Sequence, residues 1–177
     1  MNKATATGEN IPAYEGLVDS LDYEVELGVV LGKDAKNVTK EEALDYVLGY
    51  TIINDVSARN LQTRHKQWYF GKSLDGFAPM GPCIVTADEI DDVQNLNISC
   101  TVNGEVRQSS NTKLMMQTVA GAIAELSQGM TLQAGTIIAT GTPAGVGMGM
   151  KPPCFLKSGD TIICEVEKIG KLINTVE

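Results

Sequence analysis

Residues 22–33, DYEVELGVVLGK, constrain the fold more than any other stretch of this 177-residue chain. Read with the two-residue period of a strand, Tyr23, Val25, Leu27 and Val29 face one way, while Glu24 and Glu26 face the other and are followed there by Gly28 and Val30. That second face begins acidic and ends apolar. Two carboxylates at i and i+2 stand roughly 6–7 Å apart on one side of a pleated strand. Running such a strand into the interior is costly unless positive charge lies between them, and a divalent cation is the natural candidate. The alternative is that both glutamates occupy the solvated face of a half-buried strand, because alternation is what such strands show.

A third carboxylate, Asp55, lies in the apolar-flanked run GYTIINDVSARN, and Arg59, Gln62 and Lys72 follow closely. Mg2+ and Mn2+ favour oxygen ligands, and three carboxylates with waters or substrate oxygens completing an octahedron make a hard-cation site. With 14 Lys and Arg against 22 Asp and Glu, the net charge of −8 argues against nucleic acid as the principal partner, since phosphate binding needs a basic surface. A small anionic substrate remains compatible through a local cationic site. No apolar run approaches the roughly 18 residues of a membrane span, and MNKATATGENIP has no apolar signal-peptide core, so no membrane partner and a cytoplasmic protein are expected. Cys83, Cys100, Cys154 and Cys164 form no CxxC or Cys/His pair and read as buried reduced thiols. His65, among cationic neighbours, reads as a surface or loop residue, and a single His excludes a His-based zinc site.

The length fits a single domain, 1–177, and 18 Gly with only three Phe and one Trp favour a strand-rich fold with an aliphatic core. The first dozen residues show no periodicity. Thr39 and Glu42 form a capping-box pattern, predicting a short helix through Ala43, Leu44, Tyr46 and Val47 that Gly49 closes. A strand over 50–53 then delivers Asp55. Residues 57–69 read as a short helix or loop, KSLDGFAPMGP as an ordered loop, and PCIVTADEI as a buried strand. Asn103-Gly104 is a strong hairpin signal between strands 97–102 and 105–108. A helix is predicted from Asn111 or Thr112, presenting Met115, Val119, Ile123 and Leu126, with Gly129 as terminator. An apolar strand over 136–140 and a final pair of strands turning near Gly170 complete about seven strands and two or three segregated helices, an α+β, β-rich chain.

The segment GTPAGVGMGMKPP follows a strand, yet it lacks GK[ST] and carries prolines where a helix would begin, which argues against a nucleotide loop. Its backbone amides and the Thr142 hydroxyl suit a carboxylate better. A plain tight loop is the other reading.

In order along the chain, YEVELGVVLG, GYTIINDVSARNLQ, KSLDGFAPMGP, VNGEVRQ and ATGTPAGVG resemble the motifs of the fumarylacetoacetate hydrolase family, specifically the C-terminal catalytic domain of its bacterial members. The resemblance implies a mixed β-sandwich roll, commonly a homodimer, with Mg2+ or Mn2+ held by Glu24, Glu26 and Asp55. It also implies that Arg59 and Lys72 act in catalysis, Lys72 on a bound oxyanion. Gln62, Gly141 and Thr142 are expected on the substrate side, Thr142 holding a substrate carboxylate.

A metal chelated by keto and carboxylate oxygens stabilises an enolate, an intermediate shared by hydrolysis, decarboxylation and keto-enol or double-bond isomerisation. The expected substrate is therefore a small 2-keto or acylpyruvate-type acid. Hydrolytic members carry a His/Glu acid-base pair before the ExE strand, whereas only about twenty residues precede that strand here, without His. The usual N-terminal segment is thus expected to be missing, and a metal-binding domain without turnover is the alternative function. Proton transfer by a positioned side chain contributes about 10² to 10⁴ in rate, so tautomerisation or decarboxylation of oxaloacetate is expected ahead of acylpyruvate hydrolysis.

Overall fold

The structure, a computed structural model, describes residues 4–64 and 66–177; His65 lies outside the described residues. Three sheets organise them. The strands are β1 (Asn10–Ile11), β2 (Leu21–Asp22), β3 (Val25–Leu31), β4 (Val47–Asn54), β5 (Ser57–Ala58), β6 (Met80–Thr86), β7 (Asn97–Val102), β8 (Glu105–Asn111), β9 (Ile137–Ala139), β10 (Thr161–Val166) and β11 (Gly170–Val176). Two α-helices accompany them, α1 (Arg59–Arg64) and α2 (Val119–Ser127). A five-stranded sheet runs β1-β11-β10-β7-β8, a four-stranded sheet runs β6-β4-β3-β9, and β2 pairs with β5.

The core lies between the two larger sheets, as the alternation in β3 requires. Val25, Leu27, Val29 and Leu31 belong to one cluster with Tyr50 and Ile52 of β4, Ile98, Cys100 and Val102 of β7, and Ile162, Cys164 and Val166 of β10. Each such aliphatic contributes roughly 1.5–3 kcal/mol on full burial. Glu26, Gly28 and Val30 take the other face of β3, paired with Ile53, Thr51 and Gly49 of β4. That face is not solvated: all seven residues of β3 are buried. Among the described residues, no helix is long and apolar enough to cross a membrane.

Several local expectations are corrected. The Thr39/Glu42 box forms, with the Thr39 hydroxyl donating to Glu42 Oε2 at 2.9 Å. It opens only one 3-10 turn, Ala43–Tyr46, because the β-branched Val47 enters β4 and carries Gly49 into that strand. The expected buried strand at PCIVTADEI is β6, an edge strand whose Pro82, Cys83 and Ile84 are exposed. The helix expected from residue 111 starts later. Asn111 caps a 3-10 turn and Thr118 caps α2 by accepting from Gly121 N–H, so Thr118 took the role assigned to Thr112. The aperiodic beginning supplies β1, which pairs in parallel with β11. Of the four free cysteines, Cys100 and Cys164 are buried, but Cys83 and Cys154 are exposed. The hairpin turn stands as expected, with φ of 52° at Asn103 and 80° at Gly104, the left-handed pair that a tight two-residue turn requires.

Candidate active site

The register of β3 and β4 builds the centre. Glu26 lies opposite Ile53, and two pairs further on, past Val25 and Asn54, the Asp55 N–H donates to Glu24 O at 2.9 Å. Antiparallel partners share a face, so Glu24, Glu26 and Asp55 converge there. One oxygen from each lies within 4.8 Å of the others, and all three residues are buried. The Asn54 side chain steadies the strand end by accepting from Glu24 N–H at 2.9 Å.

Two cations close the cluster. Beyond the turn after β4, α1 begins with the Arg59 and Asn60 amides donating to the backbone and hydroxyl oxygens of Ser20. This places Arg59 and Gln62 on its inner side. Arg59 Nη2 reaches Glu24 Oε1 at 2.7 Å, its Nε reaches Asp22 Oδ2 at 2.9 Å, and its Nη1 donates to Gln62 Oε1 at 3.1 Å. Lys72 Nζ donates to Glu24 Oε2 at 2.9 Å and pairs with Asp55 Oδ2. Lys72 thus turns inward onto the carboxylates. All three Arg59 nitrogens meet protein acceptors, so the guanidinium acts here on the carboxylates beside it.

Charge and burial compete inside this cluster. Desolvation, reinforced by Asp55 and Glu24 and opposed by the Gly141 amide and Lys72, pushes Glu26 up to about 7. Burial likewise raises Asp55, with Lys72 pulling against it. For Lys72, burial works against the charge, but Asp55 and Glu24 outweigh it and hold its pKa above the ordinary value. Arg59 behaves the same way beside Glu24 and Asp22. Both side chains stay cationic.

The glycine loop after β9 holds carboxylates, but they are this chain's own. Gly141 N–H donates to Glu26 Oε2 at 2.9 Å, and Gly147 N–H and Met148 N–H donate to Asp22 at 2.7 and 2.9 Å. The Thr142 hydroxyl donates to Val25 O at 2.9 Å and accepts from Gln108 Nε2 at 2.8 Å. A hydroxyl has one proton to give, so in this arrangement it cannot also donate to a substrate carboxylate. A cavity of about 450 Å³ opens on the other side of Gly141 and Thr142, walled by Leu27, Ile98, Met115 and Pro143 without an ionisable side chain. The cationic side chains of the site, Arg59 and Lys72, lie instead among the carboxylates of Asp22, Glu24 and Asp55.

Asp22 and Gln108 are the residues sequence reasoning missed. Both are fully buried. Asp22 had a signal, since Asp22, Glu24 and Glu26 continue one two-residue alternation. Gln108, whose side chain joins Val25 N–H, Thr142 and Pro143, had none beyond its place in the hairpin. At Gly147 a Cβ would run into the Cys154 carbonyl oxygen and stand 2.8 Å from Asp22 Oδ1. Gly147→Ala is therefore expected to lower stability by about 1–3 kcal/mol in urea unfolding, the usual cost of overpacking. No change would mean the loop is free to shift.

Among known proteins the chain has close counterparts. The profile described as Fumarylacetoacetate (FAA) hydrolase C-terminal matches residues 2–177, and the chain belongs to that family. It is 49% identical over 172 residues to the oxaloacetate tautomerase YisK of Bacillus subtilis, covering 97% of this chain and 57% of that protein. With the mitochondrial oxaloacetate tautomerase Fahd2a of Rattus norvegicus it shares 52% identity over 157 residues, 88% of this chain and 50% of the relative. A solved fumarylacetoacetate hydrolase from psychrophilic Exiguobacterium antarcticum superposes with a TM-score of 0.96 at 50% identity, covering 98% of this chain and 62% of that one. The chain thus spans little more than half the length of these relatives.

Proposed function

We propose that this chain carries the catalytic centre of a divalent-metal-dependent enzyme acting on a small 2-keto acid, and that its reaction is keto-enol tautomerisation of oxaloacetate. The observation that carries this reading is Asp55 Oδ1, which is buried without a hydrogen-bond partner among the described residues, inside a cluster of converging carboxylates. An orphaned buried carboxylate oxygen is costly unless it faces a cation. Charge supports the same conclusion. Four buried carboxylates, Asp22, Glu24, Glu26 and Asp55, face two cations, Arg59 and Lys72, leaving a formal surplus of two negative charges. The all-oxygen set of Glu24, Glu26 and Asp55 suits Mg2+ or Mn2+. When bound there, such an ion supplies Lewis-acid polarisation of a keto oxygen.

The chain's own groups account for the remainder. Lys72 is held protonated, so it serves as a donor and a positive charge rather than a base. Its Nζ can donate to the substrate oxygen on which charge develops as the C3 proton passes to solvent water. Arg59 keeps Glu24 oriented, and the Gly141 amide fixes Glu26. Two relatives of about 50% identity named as oxaloacetate tautomerases support the choice of reaction. The test is the decay of enol oxaloacetate followed by absorbance, with and without Mg2+ or Mn2+. Equal rates in the presence and absence of metal, or a rate equal to the uncatalysed one, would overturn the proposal.

Because cation binding needs ionised Glu26, affinity for Mn2+ is expected to fall by about tenfold per pH unit below about 7, and to level off above it. Calorimetry across a pH series reads this directly, and a flat profile between pH 5.5 and 7 would contradict it. Without added cation the folded chain binds more protons than the unfolded one between 4.5 and about 7, so its stability falls as pH rises through that window.

A homodimer is the proposed assembly, supported by Ile84 and Ile137, exposed on the β6 and β9 edge strands and lining one groove. A single-chain mass in light scattering would refute it.

A further inference from the structure

The Arg59 fork is shared among three acceptors: Nε to Asp22, Nη1 to Gln62 and Nη2 to Glu24. A guanidinium facing one carboxylate alone takes both oxygens with two parallel N–H groups. Here Asp22 and Gln62 engage the other nitrogens, so Glu24 receives one hydrogen bond on Oε1 and keeps Oε2 turned toward Lys72 Nζ. Asp22 itself is immobilised. It is fully buried, its Oδ1 accepts from Gly147 N–H at 2.7 Å and Tyr23 N–H at 3.0 Å, and its Oδ2 accepts from Met148 N–H at 2.9 Å as well as from Arg59. Turning the Asp22 carboxylate would break all of these bonds together.

We propose that Asp22 is a positioning residue for the cation site: through Arg59 it decides which oxygen of Glu24 is left for the ion, and it ties that choice to the seating of the loop at 147–148. Asp22 is outside the set of converging ligand oxygens, so it acts at one remove. The inference rests on the cation-site reading above.

The test is calorimetric titration of Mn2+ into the native chain, Asp22→Asn, Arg59→Met and the double variant. Asp22→Asn is expected to weaken binding about tenfold, because the released guanidinium can clamp both Glu24 oxygens. In the Arg59→Met background the same change is expected to alter affinity by less than about twofold, as a double-mutant cycle of coupled residues requires. Equal losses in both backgrounds would overturn the proposal, since Asp22 would then act without Arg59. Should Asp22→Asn fail to fold by circular dichroism, Gln62→Leu frees another edge of the same fork and is expected to weaken Mn2+ several-fold; an unchanged isotherm there overturns the proposal equally. Glu26→Gln is titrated alongside. If that variant also binds Mn2+ normally, it is the cation site that has failed, whatever Asp22 does.

Discussion

Glu26→Gln is expected to bind Mn2+ at least about tenfold more weakly than the native chain, a difference of about 1.4 kcal/mol or more. The substitution keeps the shape of the side chain and an oxygen for the Gly141 amide, which donates to Glu26 Oε2 at 2.9 Å. What it removes is charge at the centre of a buried cluster. Because neutral Gln suffers no charge desolvation, the metal-free variant is expected to be at least as stable as the native chain near pH 8. Weaker binding together with undiminished stability is the signature of a ligand rather than of a packing residue. An unchanged isotherm would remove Glu26 from the site.

Lys72→Met is expected to act on the anion rather than on the metal. Met preserves much of the apolar stem but deletes the ammonium that pairs with Glu24 and Asp55. A hydrogen bond to a charged group contributes about 1.5–3 kcal/mol, so affinity for oxalate, a keto-acid mimic, is expected to fall roughly tenfold to a hundredfold with Mn2+ present. Mn2+ alone is expected to bind no more weakly, because the ammonium and a cation contend for the same carboxylate oxygens. Oxalate binding that survives the change would confine Lys72 to neutralising its neighbours.

These two residues were legible in the sequence for different reasons. Strand period placed Glu24 and Glu26 on one face but left that face open to solvent until Asp55 was set beside them, whereas the role of Lys72 came from a family motif, since nothing in KSLDGF says that a loop lysine turns back onto Glu24, 48 positions earlier. Register explains why Asp55 joins them. The fold class was readable because β3 is long, alternating and β-branched, and because Asn103-Gly104 fixes its own turn. What escaped was decided by tertiary partners. The sequence of β6 looks buried because its apolar run is real, yet it lies at a sheet edge where nothing among the described residues covers Ile84. The glycine loop was read as a carboxylate holder, and it is one, but only the folded chain shows that the carboxylates come from Asp22 and Glu26. A local pattern cannot tell an internal anion from an external one.

The parallel pairing of β1 with β11 bears on how the chain comes to be folded. Asn10 lies opposite Thr175, 165 positions later, and Ile11 opposite Val176. Hairpins such as β7–β8 close loops of a few residues and can form within microseconds, whereas this ladder joins segments 165 positions apart and waits on the elements between them. During synthesis from the ribosome, β1 waits until β11 has been made. Ile11, fully buried in the folded structure, lacks its β11 partner throughout that interval. Pairing of β1 with β11 is therefore a late event in folding, and until it occurs the unpaired β1 is a surface on which nascent copies can associate wrongly.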